Sequence, residues 1–182
     1  AEDRGTAGSN PARPTFTRNK MKKQSLYKDL ARYYDLVYHW KNYKKESQRI
    51  KKLIKKHKQS RGKELLEVAC GTGNYLQYFN DSFSCTGTDI NQGILNVAKN
   101  KVKGVKLRRA DMTSMNLHKK FDVVLCLFSS IGYVKTKENL KKTIRSFARH
   151  LKPGGILIIE PWCTKKEYTV GINYYFRGHR SK

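Results

Sequence analysis

Three stretches of the chain gather residues whose types and spacing suit the holding of a small organic ligand. The first is Glu67-Val68-Ala69-Cys70-Gly71-Thr72-Gly73, which closes an apolar run and opens a helix. Its two glycines let the backbone turn sharply and approach a ligand closely. The helix start beyond them offers free N–H groups. A dinucleotide-binding turn would carry a third glycine at position 76, where this chain has Leu76. The turn therefore argues against a pyrophosphate-bearing cofactor and for a smaller ligand without phosphate. The second stretch ends in Asp89, whose carboxylate can accept two hydrogen bonds from a ribose diol. The third ends in Asp111, placed to face an adenine amino group. Either carboxylate alone would equally serve to cap the next helix. Three such features at successive strand ends favour the ligand reading.

The elements that position these residues follow from the hydrophobic pattern. Apolar runs at Glu64 to Ala69, Phe83 to Thr88, Val105 to Arg109, Phe121 to Phe128 and Gly155 to Glu160 predict five strands. Helical stretches alternate with them. One runs from Asn74 to Phe79. Another opens at Asn91, an expected N-cap, and carries Ile94, Leu95 and Ala98. A third carries Leu140, Ile144, Phe147 and Leu151 and stops before Pro153-Gly154-Gly155. The alternation predicts an α/β fold with a mostly parallel sheet. Continuous apolar strands such as Val123 to Leu127 suit a sheet buried on both faces. Residues 24–58 read as two further helices. The second carries Ile50, Leu53, Ile54 and His57 on one face.

Composition bounds the function classes. The chain has 182 residues and a formal net charge of +25, from 39 Lys+Arg against 14 Asp+Glu. That length suits one domain with one core. Its 38% hydrophobic content makes wholesale disorder unexpected. No apolar run reaches the length of a membrane helix, and no secretory h-region is visible at the N-terminus. Cys70, Cys85, Cys126 and Cys163 form no CxxC pair, and no Cys/His cluster has metal-ligand spacing, so no metal is expected. The pattern fits a reduced, cytoplasmic protein. Basic residues are densest between residues 21 and 60, with 13 Lys+Arg against 3 Asp+Glu. Such a surface attracts polyanions, but a solvated lysine face is the plainer reading. Residues 1–20, rich in Gly, Pro, Ser, Thr and Asn, read as a disordered arm, with Met21 as the expected native start. Gly8-Ser9-Asn10-Pro11 also resembles a translated tRNA-gene T-arm.

This constellation resembles class I S-adenosylmethionine-dependent methyltransferases over roughly residues 24–170. The matching segments are Leu65 to Gly73, Thr88-Asp89-Ile90, Ala110-Asp111-Met112, Phe121 to Val124 and Leu151 to Gly155. Phe128-Ser129-Ser130-Ile131-Gly132-Tyr133, Phe147 to Leu151 and Glu160-Pro161-Trp162 are similar to the N,N-dimethyltransferases of nucleotide-linked amino sugars. So is Tyr34-Asp35 through Tyr38 and Tyr43. The resemblance implies a Rossmann-like methyltransferase fold and S-adenosyl-L-methionine as cofactor. It places Glu67, Ala69, Cys70, Gly71 and Gly73 at the methionine end and Asp89 on the ribose. Ile90, Asp111 and Met112 would lie about the adenine, and the backbone at Leu127 would face the amino-acid moiety. Tyr43 would close over the cofactor from an N-terminal lid spanning residues 21–60. The core would span 61–162. Tyr133, just past the fourth strand, and Tyr34, from the lid, would orient an acceptor amine or relay its proton. His150, in a helix away from the strand ends, reads as structural.

Two rival readings remain. The charge favours a nucleic-acid methyltransferase, but enzymes acting on exocyclic base amines typically carry an Asn/Asp-Pro-Pro-aromatic motif after the fourth strand. Here that position reads Leu127-Phe128-Ser129-Ser130. An RNA or protein methyltransferase is therefore the alternative reading and a small-molecule acceptor the favoured one, with no membrane partner. The other rival is a remnant that binds cofactor without turnover. The fold resembled has seven strands, and residues 163–182 leave little room for the last two, so a truncated tail is expected.

Overall fold

Five short strands pair side by side in a single parallel sheet. In the computed structural model, described over residues 33, 35, 36 and 38–161, they are β1 (Glu64–Val68), β2 (Ser84–Asp89), β3 (Lys106–Arg109), β4 (Phe121–Cys126) and β5 (Leu151–Ile159). The helices between and before them are α1 (Tyr43–His57), α2 (Leu76–Phe79), α3 (Gln92–Lys101) and α4 (Lys137–Arg149), with a 3-10 turn at Ser130–Val134. The strand order is β3-β2-β1-β4-β5, and every neighbouring pair is parallel. The order reverses between β1 and β4. In open α/β sheets, ligands bind beyond the carboxyl ends of the strands at such a reversal.

Alternation along the strands builds two cores. Leu65, Val123 and Leu125 face one side with Ile54, Leu76, Phe79, Leu95 and Val102. Leu66, Val68, Val124 and Cys126 face the other with Met115, Leu117 and Phe147. The central strands β1 and β4 are thus covered on both faces, as their continuous apolar runs require. Asn91 caps α3 by accepting from the Gly93 and Ile94 N–H groups. Among the described residues, no helix is long and apolar enough to cross a membrane.

Several expectations are corrected. The helix expected from Asn74 to Phe79 is a single turn beginning at Leu76. On α1 the buried positions are Ser47 and Ile54, while Leu53 is 46% exposed and His57 lies in water. On α4 the buried face is Thr143, Ser146 and Phe147, with Leu140 and Ile144 exposed. Leu151 is not helical. It opens β5 opposite Phe121, because His150 ends the helix and its carbonyl accepts the Phe121 N–H. Among the described residues, Cys70, Cys85 and Cys126 are buried free thiols. The N-terminal arm, most of the first lid helix, Tyr34 and the tail 163–182 lie outside the described residues.

The edge opposite the strand ends is built for stability. Asp122 is fully buried at the start of β4 and accepts from the Glu64 N–H (2.9 Å) and Lys152 Nζ (2.8 Å). The buried His150 ring accepts the Leu117 N–H at Nε2 (3.0 Å) and donates from Nδ1 to the Ser146 carbonyl (2.7 Å). His150→Leu keeps the bulk and orphans both groups. It is expected to lower stability by about 1–3 kcal/mol. Thermal unfolding checks this, at roughly 2–4 °C per kcal/mol for a chain of this size.

Candidate active site

The carboxyl ends of β1, β2 and β3 and the 3-10 turn after β4 enclose a cavity of about 400 Å³. Ala69, Gly71, Asp89, Ile90, Asp111, Met112 and Tyr133 all line it. Gly71 turns at φ +55°, and a Cβ there would meet no atom within 4 Å. The space above it is open, and it is the positive φ that calls for glycine. Gly73 (φ +79°) serves packing instead, since a Cβ there would come within 3.2 Å of Val102.

Asp89 ties the turn together. Its Oδ2 accepts the Gly71 N–H (3.0 Å) and its Oδ1 the Asn91 N–H (2.9 Å). Each carboxylate oxygen has two lone pairs, so both keep capacity for a hydroxyl donor. Burial raises the Asp89 pKa, against the opposing pull of those N–H groups. Asp111 is more exposed, and its Oδ1 accepts from both the N–H and the hydroxyl of Thr113 at 2.8 Å. That oxygen caps a local turn as well as bordering the cavity.

Other expected residues sit behind or beside the cavity. Glu67 is 2% exposed, and its Oε2 has no hydrogen-bond partner. Burial drives its pKa well above the usual carboxylate value, and the nearby Asp89 charge adds to this. Tyr43 packs edge-on against Tyr75 with centroids 5.0 Å apart. Burial pushes its hydroxyl up to about 12, against the opposing pull of the Asn74 side chain. Leu127 is core, and the Cys70 thiol sits under β2, close to Gly87. Neither residue lines the cavity. Tyr133 stands at the cavity mouth, 69% exposed.

Sequence reasoning missed three features. Ala69 (φ +56°), Phe128 (φ +49°) and Ser129 (φ +59°) are non-glycine residues in left-handed conformations at the ends of β1 and β4. Such strain costs about 1–2 kcal/mol per residue and gathers at functional sites. Ser130 and Asn139 also line the cavity, and nothing in their spacing announces it. The third feature is a clasp. Asp35 accepts from Thr72 Oγ1 (2.7 Å) and Asn74 Nδ2 (2.9 Å) and pairs with Lys101 Nζ (2.5 Å). Burial alone would raise the Asp35 pKa, but the bonds from Lys101, Thr72 and Asn74 outweigh it and hold the value below 3.8. A lowered carboxylate stabilises the fold above its unfolded pKa and loses that contribution as pH falls through its folded pKa. Lys101→Met is therefore expected to cost no more than about 1 kcal/mol at neutral pH, given solvent screening. The difference from the parent protein should close below pH 3.8. Urea unfolding across pH checks both points.

The comparisons with known proteins meet this geometry. A family described as "Methyltransferase domain" matches residues 65–155, half of the chain. The chain belongs to that methyltransferase family. The domain is 37% identical over 146 residues to dTDP-3-amino-3,4,6-trideoxy-alpha-D-glucopyranose N,N-dimethyltransferase from Streptomyces venezuelae. That alignment covers 79% of this chain and 61% of the relative. It is 33% identical to dTDP-3-amino-3,6-dideoxy-alpha-D-glucopyranose N,N-dimethyltransferase from Streptomyces fradiae, covering 79% and 57%. The crystal structure of Streptomyces venezuelae DesVI superposes with a TM-score of 0.72 at 36% identity, over 76% of this chain and 60% of that one. SAM-bound CalS10, an amino pentose methyltransferase from Micromonospora echinaspora, gives 0.73 at 29% identity, over 77% and 60%. The methyltransferase chain thus spans about three fifths of the length of these relatives. Its five-strand parallel sheet is the sheet of a Rossmann-like methyltransferase.

Proposed function

We propose that the protein transfers a methyl group from S-adenosylmethionine to the amine nitrogen of a small acceptor of the amino-sugar class. The observation that carries this reading is the placement of Asp89, Gly71 and Asp111 in one cavity at the strand-order reversal of a methyltransferase domain. The residues present fit the cofactor. Gly71 leaves an open cradle, and Glu67 brings an unpartnered buried carboxyl oxygen near Asp89 and Cys70. Asp89 would hold the ribose diol, and Ile90, Asp111 and Met112 the adenine. Glu67, the 69–73 turn and the Leu127 backbone would hold the amino-acid end, with Tyr43 closing from α1.

When bound, the cofactor supplies an already activated methyl group. The protein's part is therefore mainly positioning and exclusion of water. The acceptor nitrogen must arrive unprotonated and in line. Tyr133 at the cavity mouth would orient it or accept its proton through water. Tyr34 is proposed for the same task on the sequence resemblance alone. Cytoplasmic placement is proposed on the three buried free thiols.

Calorimetry with S-adenosylmethionine, followed by a methyl-transfer assay on a nucleotide-linked amino sugar, tests the proposal. Binding with transfer supports it. Binding without transfer reduces the chain to a cofactor-holding domain, and no binding overturns it. A second reading, RNA as acceptor, draws on the exposed lysines of α1. Retention of RNA that weakens steeply with salt, together with RNA methylation, would favour it instead.

A further inference from the structure

Lys41 stands in an environment that lysine seldom enters. Its side chain is only 7% exposed, in a residue type that is almost never buried unless paired. Its ammonium lies 4.4 Å from the Phe128 ring centroid, 5.7 Å from that of Tyr43 and 5.9 Å from that of Tyr75. Both Glu46 carboxylate oxygens hold it, at 2.7 and 2.8 Å. The surrounding rings are themselves fixed. Tyr75 donates its hydroxyl to Glu46, and Tyr38 packs edge-on against Phe128 at 4.9 Å. The Phe128 N–H is held by Glu160 (2.7 Å).

Three aromatic faces and a carboxylate around one positive charge form a receptor for a cation. Its place in the fold is informative. Tyr75 follows the glycine turn after β1, and Phe128 follows β4, the two strands between which the sheet order reverses. The cage therefore lies along the same sheet edge as the cavity. A lysine ammonium is strongly hydrated and costly to strip of water. An onium group carries the same charge with a weaker hold on water, so the cage suits it better.

We propose that the Tyr43–Tyr75–Phe128 cage is a cation site of the reaction centre, occupied by the chain's own Lys41, which a ligand's onium or ammonium group enters by displacing that ammonium. The purpose assigned to the site rests on the methyltransferase reading, but its existence does not. Lys41 acts as a tethered competitor, present at an effective concentration of about millimolar or higher. Removing it should expose the site to cations it normally excludes.

The experiment titrates tetramethylammonium, followed by NMR, into the parent protein, Lys41→Ala and Lys41→Ala/Phe128→Leu. Lys41→Ala should bind saturably and at least about tenfold more tightly than the parent, and the double variant should lose the gain. Equal binding by parent and Lys41→Ala overturns the proposal. If Lys41→Ala does not fold by circular dichroism, Lys41→Gln keeps a hydrogen bond to Glu46 without the charge and must show the gain instead. Calorimetry with S-adenosylmethionine and its neutral product S-adenosylhomocysteine distinguishes the two sources of the cation. If the sulfonium is the occupant, Lys41→Ala raises the preference for S-adenosylmethionine about tenfold. If an acceptor amine is the occupant, that preference stays put while the tetramethylammonium gain remains. If no protein binds S-adenosylmethionine yet Lys41→Ala gains tetramethylammonium, the methyl-transfer reading falls and the cage stands.

Discussion

Asp89→Ala is expected to weaken S-adenosylmethionine binding by about 100-fold or more. A hydrogen bond to a charged group contributes about 1.5–3 kcal/mol, and Asp89 is proposed to accept two from the ribose. The loss also has a second route. The carboxylate holds the Gly71 and Asn91 N–H groups, so its removal loosens the glycine turn as it empties the ribose site. Asp89→Asn does not rescue, because one of those N–H groups would then face an NH2. Asp111 provides the contrast. It is exposed, and one of its oxygens already serves Thr113, so Asp111→Ala should cost less than about tenfold. Calorimetry on variants with parent-like circular dichroism makes the measurement. An Asp89→Ala protein that binds like the parent removes the ribose assignment.

Asp89 was legible in the sequence for a reason that extends to the whole sheet edge. Each apolar run stops at a residue that cannot continue it, such as Gly71, Asp89 or Asp111. In a parallel sheet all such stops fall on one edge. Run ends and strand ends therefore coincide, and Gly71, Asp89 and Asp111 could be named from spacing, whereas Ala69, Ile90, Met112 and Tyr133 needed the family resemblance and Ser130 and Asn139 had no signal at all. Leu76 carried similar information, since a leucine in place of the third glycine is now seen as a fully buried core residue of α2.

The helix faces were less legible. On α4 the apolar residues Leu140 and Ile144 point outward, while Thr143 and Ser146 are fully buried. Small hydroxyl side chains let a helix approach a sheet closely, and Ser146 covers its polarity by donating to the Met115 carbonyl. A search for apolar periodicity credits neither residue. The same error occurs on α1, where Ser47 is buried and Leu53 is not. The Asp35–Lys101 clasp and the Lys41 cage lay beyond reach for another reason. Their members are joined by the fold and not by spacing, and in the sequence each lysine looks like one more cation among 39 basic residues. The +25 charge thus conceals, among the described residues, lysines with specific partners such as Lys41, Lys101 and Lys152.

Glu67 yields an expected change in stability whose sign is opposite to that of the other substitutions. Its side chain is buried with Oε2 unpartnered, and Asp89 adds like charge nearby. Its folded pKa therefore stands well above the ordinary value of 4.5. Between the unfolded and folded pKa values the native state binds the extra proton. Stability then falls as pH rises through that window, and the loss is complete above the folded pKa. Glu67→Gln removes the titration and keeps the shape. Near pH 4 the side chain at this position is neutral in both folded proteins and mostly neutral in the unfolded ones, so they should unfold nearly alike. By pH 8, without added ligand, Glu67→Gln should be more stable by about 1–3 kcal/mol, or roughly 2–4 °C per kcal/mol in melting temperature. The same variant should bind S-adenosylmethionine about tenfold or more weakly, because a neutral amide cannot pair with a cationic amino group. Thermal unfolding between pH 4 and 8 with calorimetry at pH 8 tests both halves. A variant that is less stable at pH 8 would mean that Glu67 is paired in solution, and its assignment to the methionine end would then lose its physical basis. A variant that is more stable and binds poorly would show a carboxylate retained at a cost to the fold, because the ligand supplies the partner that the protein withholds.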